Sequence, residues 1–419
     1  MLQLLAVILA GTTALLGYVV WVKSLRRRVE LVLPEGTSIG DAFHAMAALT
    51  WSVVTEANRV TIIQNSAFFD ALLDDVQAAR HSIHLETFLW RDGEVSERVG
   101  DELAARAAEG IVVRVLVDQR GAAQTSSDVW ARLRAAGVDF RVHHRLRFRE
   151  FAWYNHRDHR KIAIIDGRIG YTFGHGIGDM WGEDAEQNGG WRDTAARFEG
   201  PVVNELQAAF FDNWAIVTGQ TFGGADYFPV VRGEGTTAAH VSYLASRETV
   251  SAPQRLYYFA ITAAREEIVL QNPYFLPDSE ALALLAAALK RGVRISIMLP
   301  NAETSDFAIV QHASHHFYGP LLRGGARVFE YARCGLHQKV MIVDRRWCSI
   351  GSTNFDPRSF RLNDEITVAM HDPTVAADLR RAFDDDVKHA VEWTYQSWSE
   401  RGLSHKARDW YSTVFKKWL

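Results

Sequence analysis

The sequence predicts an α/β protein built from two duplicated halves, and the evidence is a set of three blocks that recur in the same order. The paired blocks are residues 78–85 with 263–270, 109–117 with 291–299, and 159–166 with 337–344. Their offsets are 185, 182 and 178 residues, so the second half repeats the first with few insertions. One matching block could arise by chance, whereas three in register indicate duplication, and the long period excludes a solenoid of short repeats.

The elements within each repeat indicate helices that alternate with buried strands. In each half, an alanine- and leucine-rich stretch ends at a glycine, Gly110 or Gly292, and a run rich in β-branched residues follows. Glycine is common just beyond a helix end, and β-branched runs favour strands. Strands that alternate with helices form largely buried sheets, so we predict two α/β halves.

Composition divides the chain into six predicted segments. They are a transmembrane anchor at residues 1–23, a juxtamembrane connector at 24–55, a first half at 56–218, a linker at 219–240, a second half at 241–391 and a C-terminal amphipathic segment at 392–419. Crowded glycines indicate the linker. The last segment is rich in tryptophan, lysine and arginine, so we expect it to lie either on a membrane surface or against its own body.

The first residues favour a membrane anchor over a cleaved signal peptide. Residues 2–22 contain no charged side chain, and a helix of that length spans roughly 30 Å, the thickness of the bilayer core. Positive charges follow this run, at Lys23, Arg26, Arg27 and Arg28, whereas a signal peptide carries them before its apolar region. The positive-inside rule then places the rest of the chain in the cytoplasm.

Net charge and cysteine content restrict the partners and the compartment. The net charge is −4, which disfavours a dedicated nucleic-acid binder because such proteins usually carry a basic excess. The two cysteines, Cys334 and Cys348, match no zinc or haem pattern. They could be paired or free, and so few cysteines fit a reducing compartment.

The third recurring block carries the chemistry, because each copy has the pattern His-x-Lys-x4-Asp. The two copies contain His159, Lys161 and Asp166, and His337, Lys339 and Asp344. Alternate residues on a strand share a face, so the imidazole and the ammonium of each copy project into one space. Lysines can neutralise phosphodiester oxygens, a neutral imidazole can attack phosphorus, and a protonated imidazole can protonate the leaving oxygen. Two facing copies supply both imidazole forms. Because the lysines neutralise the phosphodiester, we expect neither a metal ion nor a cofactor.

These motifs resemble the HKD motifs of the phospholipase D superfamily, and the resemblance covers most of the chain after the anchor. The second copy continues into Gly351, Ser352, Thr353 and Asn354, which makes the signature highly specific. Within the superfamily, the chain is most similar to the bacterial cardiolipin synthases, on residues 155–161, 191–194, 272–278 and 354–365. The resemblance implies two α/β halves of phospholipase D type packed around one active site, plus the N-terminal transmembrane helix.

The resemblance also implies roles for the motif residues. One histidine forms a phosphohistidine and the other is the general acid. We predict that His159 is the nucleophile and His337 the acid, although the symmetry of the motifs leaves the order open. The supporting residues implied are Lys161, Lys339, Ser352 and Asn354 to bind the phosphate, Asp193 and Glu365 to orient the imidazoles, and Asp166 and Asp344 to secure the motif turns.

The first copy departs from the family pattern after its aspartate. The family usually has two small residues and then an asparagine, but Phe173 replaces the first glycine here and Gly176 stands in the place of the asparagine. The first half therefore lacks one expected phosphate donor. His175 could replace it, although a packed position is the favoured interpretation. His156 is expected at a rim, and residues 141–160 could either meet anionic headgroups or form a solvated loop.

The resulting hypothesis is a membrane-bound phosphatidyltransferase, similar to cardiolipin synthases, in a bacterial cell membrane. It would convert two phosphatidylglycerol molecules into cardiolipin and glycerol. Its partners would be the membrane and this lipid, and we expect no nucleic acid. The sequence does not predict an oligomeric state. A phospholipase D that hydrolyses phospholipid to phosphatidic acid uses the same residues. A nuclease and an inactive scaffold are further alternatives, disfavoured by the acidic net charge and by the two intact motifs respectively.

Overall fold

A computed structural model describes residues 36–143, 156–183, 189–243 and 251–414, together with positions 11, 13, 32–34 and 187. Gly36–Leu419 form one compact unit, and Met1–Glu35 form a second. The predicted anchor, apart from positions 11 and 13, and residues 144–155 of the predicted rim lie outside this part of the chain. No helix within it is long and apolar enough to cross a bilayer.

The helices of the described residues are distributed over both halves. They are α1 (Phe43–Leu49), α2 (Ala67–Gln77), α3 (Glu94–Ala108), α4 (Ser127–Ala135), α5 (Val202–Thr218), α6 (Ala252–Ala263), α7 (Ser279–Lys290), α8 (Ala308–Arg323), α9 (Pro373–Val387), α10 (Tyr395–Ser399) and α11 (Leu403–Val414). A 3-10 helix spans Asp179–Trp181. Side-chain caps define several starts: Asp278 accepts from two N–H groups of α7, and Asp372 does so for α9.

The strands follow the same repeated order. They are β1 (Thr55–Gln64), β2 (Ser82–Thr87), β3 (Val112–Asp118), β4 (Asp139–His143), β5 (Arg157–Asp158), β6 (Ile162–Ile165), β7 (Ile169–Phe173), β8 (Trp191–Arg192), β9 (Thr194–Glu199), β10 (Thr237–Ser242), β11 (Glu267–Gln271), β12 (Arg294–Pro300), β13 (Arg327–Tyr331), β14 (Gly335–Leu336), β15 (Val340–Val343), β16 (Trp347–Gly351), β17 (Asn363–Asp364), β18 (Thr367–His371) and β19 (Ala390–Trp393).

Most of these strands form one large mixed sheet in which the duplication is visible. From the centre outwards, the order β1-β9-β7-β6-β2-β3-β4 in the first half repeats as β10-β18-β16-β15-β11-β12-β13 in the second, and β19 adds an edge. The halves meet where β1 pairs antiparallel with β10, with Thr55 opposite Ala239. The prediction of two duplicated α/β halves is confirmed.

One apolar core continues across the boundary between the halves. The buried Phe210 and Trp214 of α5 belong to the same cluster as Phe329 and Ile342 of the second half. Helix α5 ends at Gly219, whose φ of +75° lies in the left-handed region that glycine adopts at little cost. Because the apolar contacts are continuous, the two halves fold around a shared interior.

Regular structure extends beyond the predicted segment boundaries. Strand β10 begins inside the predicted linker at residues 219–240, and helix α1 lies inside the predicted connector at residues 24–55.

Cys334 and Cys348 are both buried and free, so they do not form the disulfide that the sequence left open.

Asp166 and Asp344 close equivalent turns at the ends of the two motif strands. Their φ angles are +54° and +52°, which non-glycine residues adopt only when surrounding contacts hold them. Each carboxylate accepts hydrogen bonds from three consecutive backbone N–H groups, those of residues 80–82 and of residues 265–267. Both aspartates therefore join a motif strand to the strand beside it, β2 or β11.

We expect Asp344→Ala to destabilise the protein by about 2–4 kcal/mol, because three N–H groups lose a charged acceptor. Denaturant unfolding of the purified protein measures this change. The matched control is Asp70→Ala, whose carboxylate is exposed and pairs with Arg98, and which should change stability by less than about 1 kcal/mol. A loss that is equally small for Asp344→Ala would contradict a structural role for the motif turn.

Candidate active site

Each motif begins beside a short strand from the opposite half. In the first motif, β5 pairs in parallel with β17, and the His159 N–H donates to the Asp364 carbonyl at 2.9 Å. In the second, β14 pairs in parallel with β8, and the His337 N–H donates to the Arg192 carbonyl at 2.9 Å. Both motif histidines are therefore held by backbone contacts that cross between the halves.

The carboxylates that orient the two imidazoles also come from the opposite half. Nδ1 of His159 lies 2.9 and 3.0 Å from the two carboxylate oxygens of Glu365. Nδ1 of His337 lies 2.9 Å from Oδ2 of Asp193. A carboxylate at Nδ1 favours the tautomer with the proton on that nitrogen, which leaves Nε2 of each ring to react. The structure thus places Asp193 and Glu365 where the sequence predicts orienting acids, and shows that they are exchanged between the motifs.

Glu365 is itself held by three side chains of its own half. The hydroxyl groups of Ser352 and Ser359 donate to its two oxygens, and the Asn363 amide donates at 3.1 Å. Ser352, expected to bind phosphate, instead bonds this buried acid and does not line the central cavity. Its side chain is turned away because it follows β16 on the face that meets Glu365, so its influence on a substrate would pass through Glu365.

Asp193 has an equivalent environment made from different residues. The indole N–H of Trp181 donates to it at 3.0 Å, and Trp181 stands 178 positions before Ser359, the motif offset. By the same offset, Gly174 corresponds to Ser352. A Cβ on Gly174 would come within 2.1 Å of Oδ1 of Asp193, so the first half requires a glycine where the second uses a hydroxyl.

Both motif lysines lie beside their own histidines, as the His-x-Lys spacing predicts. Nζ of Lys161 donates to the His159 carbonyl at 3.0 Å. Nζ of Lys339 lies 2.8 and 3.0 Å from the two ring nitrogens of His337. Both lysines are almost completely buried, so their charge acts in a poorly solvated environment where it interacts strongly with an anion.

One cavity of about 800 Å³ unites the two motifs. Its walls include His159 and Lys161 from the first half, and His337 and Asn354 from the second. Oδ1 of Asn354 is buried without a hydrogen-bond partner in the described chain, so this oxygen can accept a hydrogen bond from a ligand hydroxyl. Four arginines also line the cavity: Arg91, Arg120, Arg157 and Arg358. The carboxylates of Asp306 and Asp356 share the wall. Cationic side chains are nevertheless in excess, so the site is suited to anionic ligands.

One group of side chains in the described residues has the composition of a metal site, namely His312, His315 and Asp409. None of the three lines the cavity.

Two segments of the chain, residues 72–177 and 258–387, match the model of the family described as "Cardiolipin synthase, PLD-like domain". These segments make up more than half of the sequence and contain both His-x-Lys-x4-Asp motifs. The chain belongs to this family. The resemblance of its two motifs to the phospholipase D superfamily is thereby confirmed.

Relatives in the cardiolipin synthase family match most of the chain. The cardiolipin synthase of Oceanobacillus iheyensis is 32% identical over 360 residues, covering 85% of this chain and 74% of that protein. The major cardiolipin synthase of Bacillus subtilis is 32% identical over 368 residues, covering 87% and 76%. Among solved structures, a phosphatidylserine synthase from Haemophilus influenzae shares the fold, with a TM-score of 0.70, 14% identity, and coverage of 91% of this chain and 100% of that chain.

Of the two departures from the cardiolipin synthase pattern, only Gly176 reaches the cavity. Gly176 lines it in the first half, where Asn354 does so in the second. His175 is fully buried, stacks on Phe68 at 4.6 Å and places Nε2 3.0 Å from the Asn65 carbonyl. It therefore occupies a packed position, as the sequence favours, and Asn354 has no asparagine counterpart in the first half, where Gly176 stands on the cavity wall. Neither Phe173 nor His156 lines the cavity.

Several residues around the orienting acids have no signal in the motifs. Ser359 lies in the segment 354–365 that resembles the cardiolipin synthases. Trp181 could have been found by extending the 178-residue offset back from Ser359, although the two residue types differ. The four arginines share no spacing, so no sequence pattern groups them. What the four arginines share is their place on the wall of one cavity, which only the tertiary structure shows.

Burial of four basic groups lowers the pKa of each. It lowers the pKa of Lys161 to about 8 and that of Lys339 to about 7. Burial, with the neighbouring ammonium, also lowers the pKa of His159 and of His337. Both imidazoles are therefore mainly neutral near pH 7 before an anion binds, the form that a nucleophile needs. A bound phosphodiester would raise these pKa values again, because it offsets the positive charge.

We expect kcat/KM for an anionic lipid to fall as the pH rises through about 7 to 8. The ammonium forms of Lys339 and Lys161 are the ones that we expect to bind phosphate. They exist below these pKa values and are lost above them, and kcat/KM reports the pKa of the free enzyme. Rates measured between about pH 6 and 10 test this. Arginine keeps its charge at alkaline pH, so in Lys339→Arg the fall of kcat/KM should move to higher pH. A wild-type profile that is flat through this range would contradict the assignment.

Proposed function

We propose that the protein is a membrane-bound phosphatidyltransferase that converts two phosphatidylglycerol molecules into cardiolipin and glycerol. The observation that carries the proposal is a pair of imidazoles in one cavity, each oriented by a carboxylate of the other half and accompanied by a lysine. Membership of the cardiolipin synthase family indicates the substrate class, since relatives over most of the chain have that name.

In the first half-reaction, Nε2 of His159 attacks the phosphorus of phosphatidylglycerol. A P–N bond forms and the P–O bond to the terminal glycerol breaks, while the leaving oxygen takes a proton from Nε2 of His337, whose ring becomes protonated once the anionic phosphodiester has bound. Glu365 stabilises the positive charge that develops on the His159 ring, because its carboxylate accepts a hydrogen bond from Nδ1–H. We assign Lys161, Lys339 and Asn354 to neutralise and hold the phosphoryl oxygens. Lys161 and Asn354 line the cavity, whereas Lys339 lies behind its wall, beside the ring of His337.

In the second half-reaction, His337 reverses its role. A hydroxyl group of the second phosphatidylglycerol gives its proton to the now neutral Nε2 of His337 and attacks the phosphorus. The P–N bond to His159 breaks and cardiolipin is formed. Asp193 supports this step because it holds the Nδ1 proton of His337 and stabilises the imidazolium.

The arginines favour transfer to a lipid over transfer to water. A single phosphodiester carries one negative charge, and two lysines already stand beside the reacting groups. Four further arginines on the cavity wall provide for a second anionic headgroup. A hydrolase has only water as its second substrate and no need of them.

A bacterial cell membrane is the proposed setting, with the catalytic body on its cytoplasmic face. Two observations support it: the family relatives come from bacteria, and residues 2–22 form an uncharged run that positive residues follow.

The proposal is tested with purified full-length protein and phosphatidylglycerol labelled in its terminal glycerol. We expect one free glycerol for each cardiolipin formed, with the His159→Ala/His337→Ala double variant as the background control. Formation of phosphatidic acid without cardiolipin would show that the protein is a hydrolase and not a synthase. Turnover of DNA with no reaction on lipid would overturn the lipid assignment altogether.

A further inference from the structure

The C-terminal helix α11 presents its apolar side to the exterior. Leu403, Ala407 and Trp410 follow one another at intervals of four and three residues, so they share one face. All three are exposed, Leu403 to 85% and Trp410 to 62%, and the neighbouring Tyr411 is exposed to 59%. A contiguous exposed apolar face of this kind is uncommon on a surface that meets only water.

The polar side of the same helix is turned towards the body. Asp409 and Ser412, three residues apart, are almost fully buried where α11 packs on α8. A helix on a water-facing surface normally has the opposite arrangement, with its apolar stripe against the core. Helix α11 is therefore inverted with respect to the usual amphipathic helix.

Buried charge interactions hold α11 in this orientation. Arg401 forms an ion pair with Asp409, whose other oxygen lies 3.6 Å from Nδ1 of His315. Nε2 of His315 in turn lies 2.7 Å from Glu330 of β13. Rotation of α11 to bury Trp410 would separate Asp409 from these partners, and such a loss strongly opposes rotation. The outward apolar face is thus a stable feature of the fold.

We infer that this face of α11 docks on an anionic phospholipid surface, with the helix lying in the plane of the interface. Leucine and tryptophan are typical of interfacial helices, and exposed Lys406 and Arg408 on α11 provide charge complementary to anionic headgroups. Helix α8, which supports α11, begins directly after Phe307, an exposed residue that lines the catalytic cavity. Docking through α11 would therefore place the lipid surface on an element that packs against a helix adjoining the cavity. The inference goes beyond the reaction, because it concerns only where the body meets the bilayer.

Site-specific fluorescence in the full-length protein tests the docking directly. Cys334 and Cys348 are buried, so a cysteine introduced on the surface can be labelled selectively with bimane. We compare Leu403→Cys with Val230→Cys, an exposed apolar position in the predicted linker. In vesicles of phosphatidylglycerol and phosphatidylcholine, spin-labelled lipid should quench the label at 403, while iodide should quench it at least roughly fivefold less than the label at 230.

Two outcomes would overturn the inference. Equal access of iodide to both labels would show that the face remains in water. Protection at position 403 without quenching by lipid, together with disulfide cross-links between two copies of the unlabelled variant, would show that a second copy of this chain covers the face instead.

A second variant links docking to turnover. Trp410→Asp should lower turnover on vesicles by roughly tenfold or more, with little effect on dispersed short-chain phosphatidylglycerol, and Val230→Asp should change neither rate. Equal turnover of Trp410→Asp and wild type on vesicles would contradict the inference. Absence of turnover by the wild type would overturn the proposed reaction, while the quenching measurement would still report on docking.

Discussion

Replacing His337 with alanine should leave an enzyme that releases about one p-nitrophenolate per active site from a phosphatidyl p-nitrophenyl ester and then stops. Nitrophenolate is a good leaving group, so the attack by His159 does not need the acid that His337 supplies. The second step does need His337, because an alcohol acceptor must lose a proton. The phosphohistidine therefore accumulates, and turnover of phosphatidylglycerol should fall by about 10²- to 10⁴-fold or more.

The reciprocal variant decides the order of the two histidines. His159→Ala removes the proposed nucleophile, so it should give no burst with the nitrophenyl ester. A burst from His159→Ala and none from His337→Ala would reverse the assignment, and steady turnover by either would rule out the shared site. His81→Ala is the matched control, because His81 is exposed and only its backbone N–H contacts Asp166; it should behave as the wild type.

Because each orienting acid serves the histidine of the other half, replacing Glu365 and replacing Asp193 should slow different half-reactions. Glu365→Gln should slow the burst by about 10²- to 10⁴-fold, since Glu365 holds the ring of His159. Asp193→Asn should leave the burst near the wild-type rate and slow the following transfer to a lipid hydroxyl, since Asp193 holds His337. Rapid mixing with the nitrophenyl ester, followed by addition of phosphatidylglycerol, measures both steps.

The opposite pattern would show that each acid serves the histidine of its own half. Equal effects of both variants on both steps would show that the carboxylates act only on folding or on general charge. Asp212→Asn is the control for loss of one carboxylate. Asp212 pairs with Arg160 and does not line the cavity, so neither step should change.

The exchange also has a consequence for the duplication. Each half contains a nucleophile or acid, its lysine and its motif aspartate, but the partner of each imidazole lies in the other half. Neither half therefore contains a complete site. Chain duplication preserved the same His-x-Lys pattern twice, while later changes made the surroundings unequal, with Gly174 and Trp181 on one side and Ser352 and Ser359 on the other.

Local patterns were sufficient to find the reacting groups. His159 with Lys161 and His337 with Lys339 share faces because alternate residues on an extended chain point the same way, a relation that needs no tertiary information. The duplicated α/β architecture is predicted in the same local way. The residue pattern within each block predicts helix or strand, and recurrence of the blocks predicts the duplication. Ser352 shows the limit of prediction from local patterns. Its position next to the motif suggested a phosphate ligand, while its hydroxyl bonds a carboxylate 13 residues away.

The sequence by itself determined the fold class, the two motifs, the orienting acids as residue types and the duplication that relates the halves. The tertiary structure alone decided which acid serves which histidine, which arginines share the cavity and which side of α11 faces outwards. The physical reason is distance along the chain: Glu365 and His159 are 206 residues apart, and Asp193 and His337 are 144 apart. Contacts of that separation depend on how two apolar halves pack against each other, which no local spacing encodes.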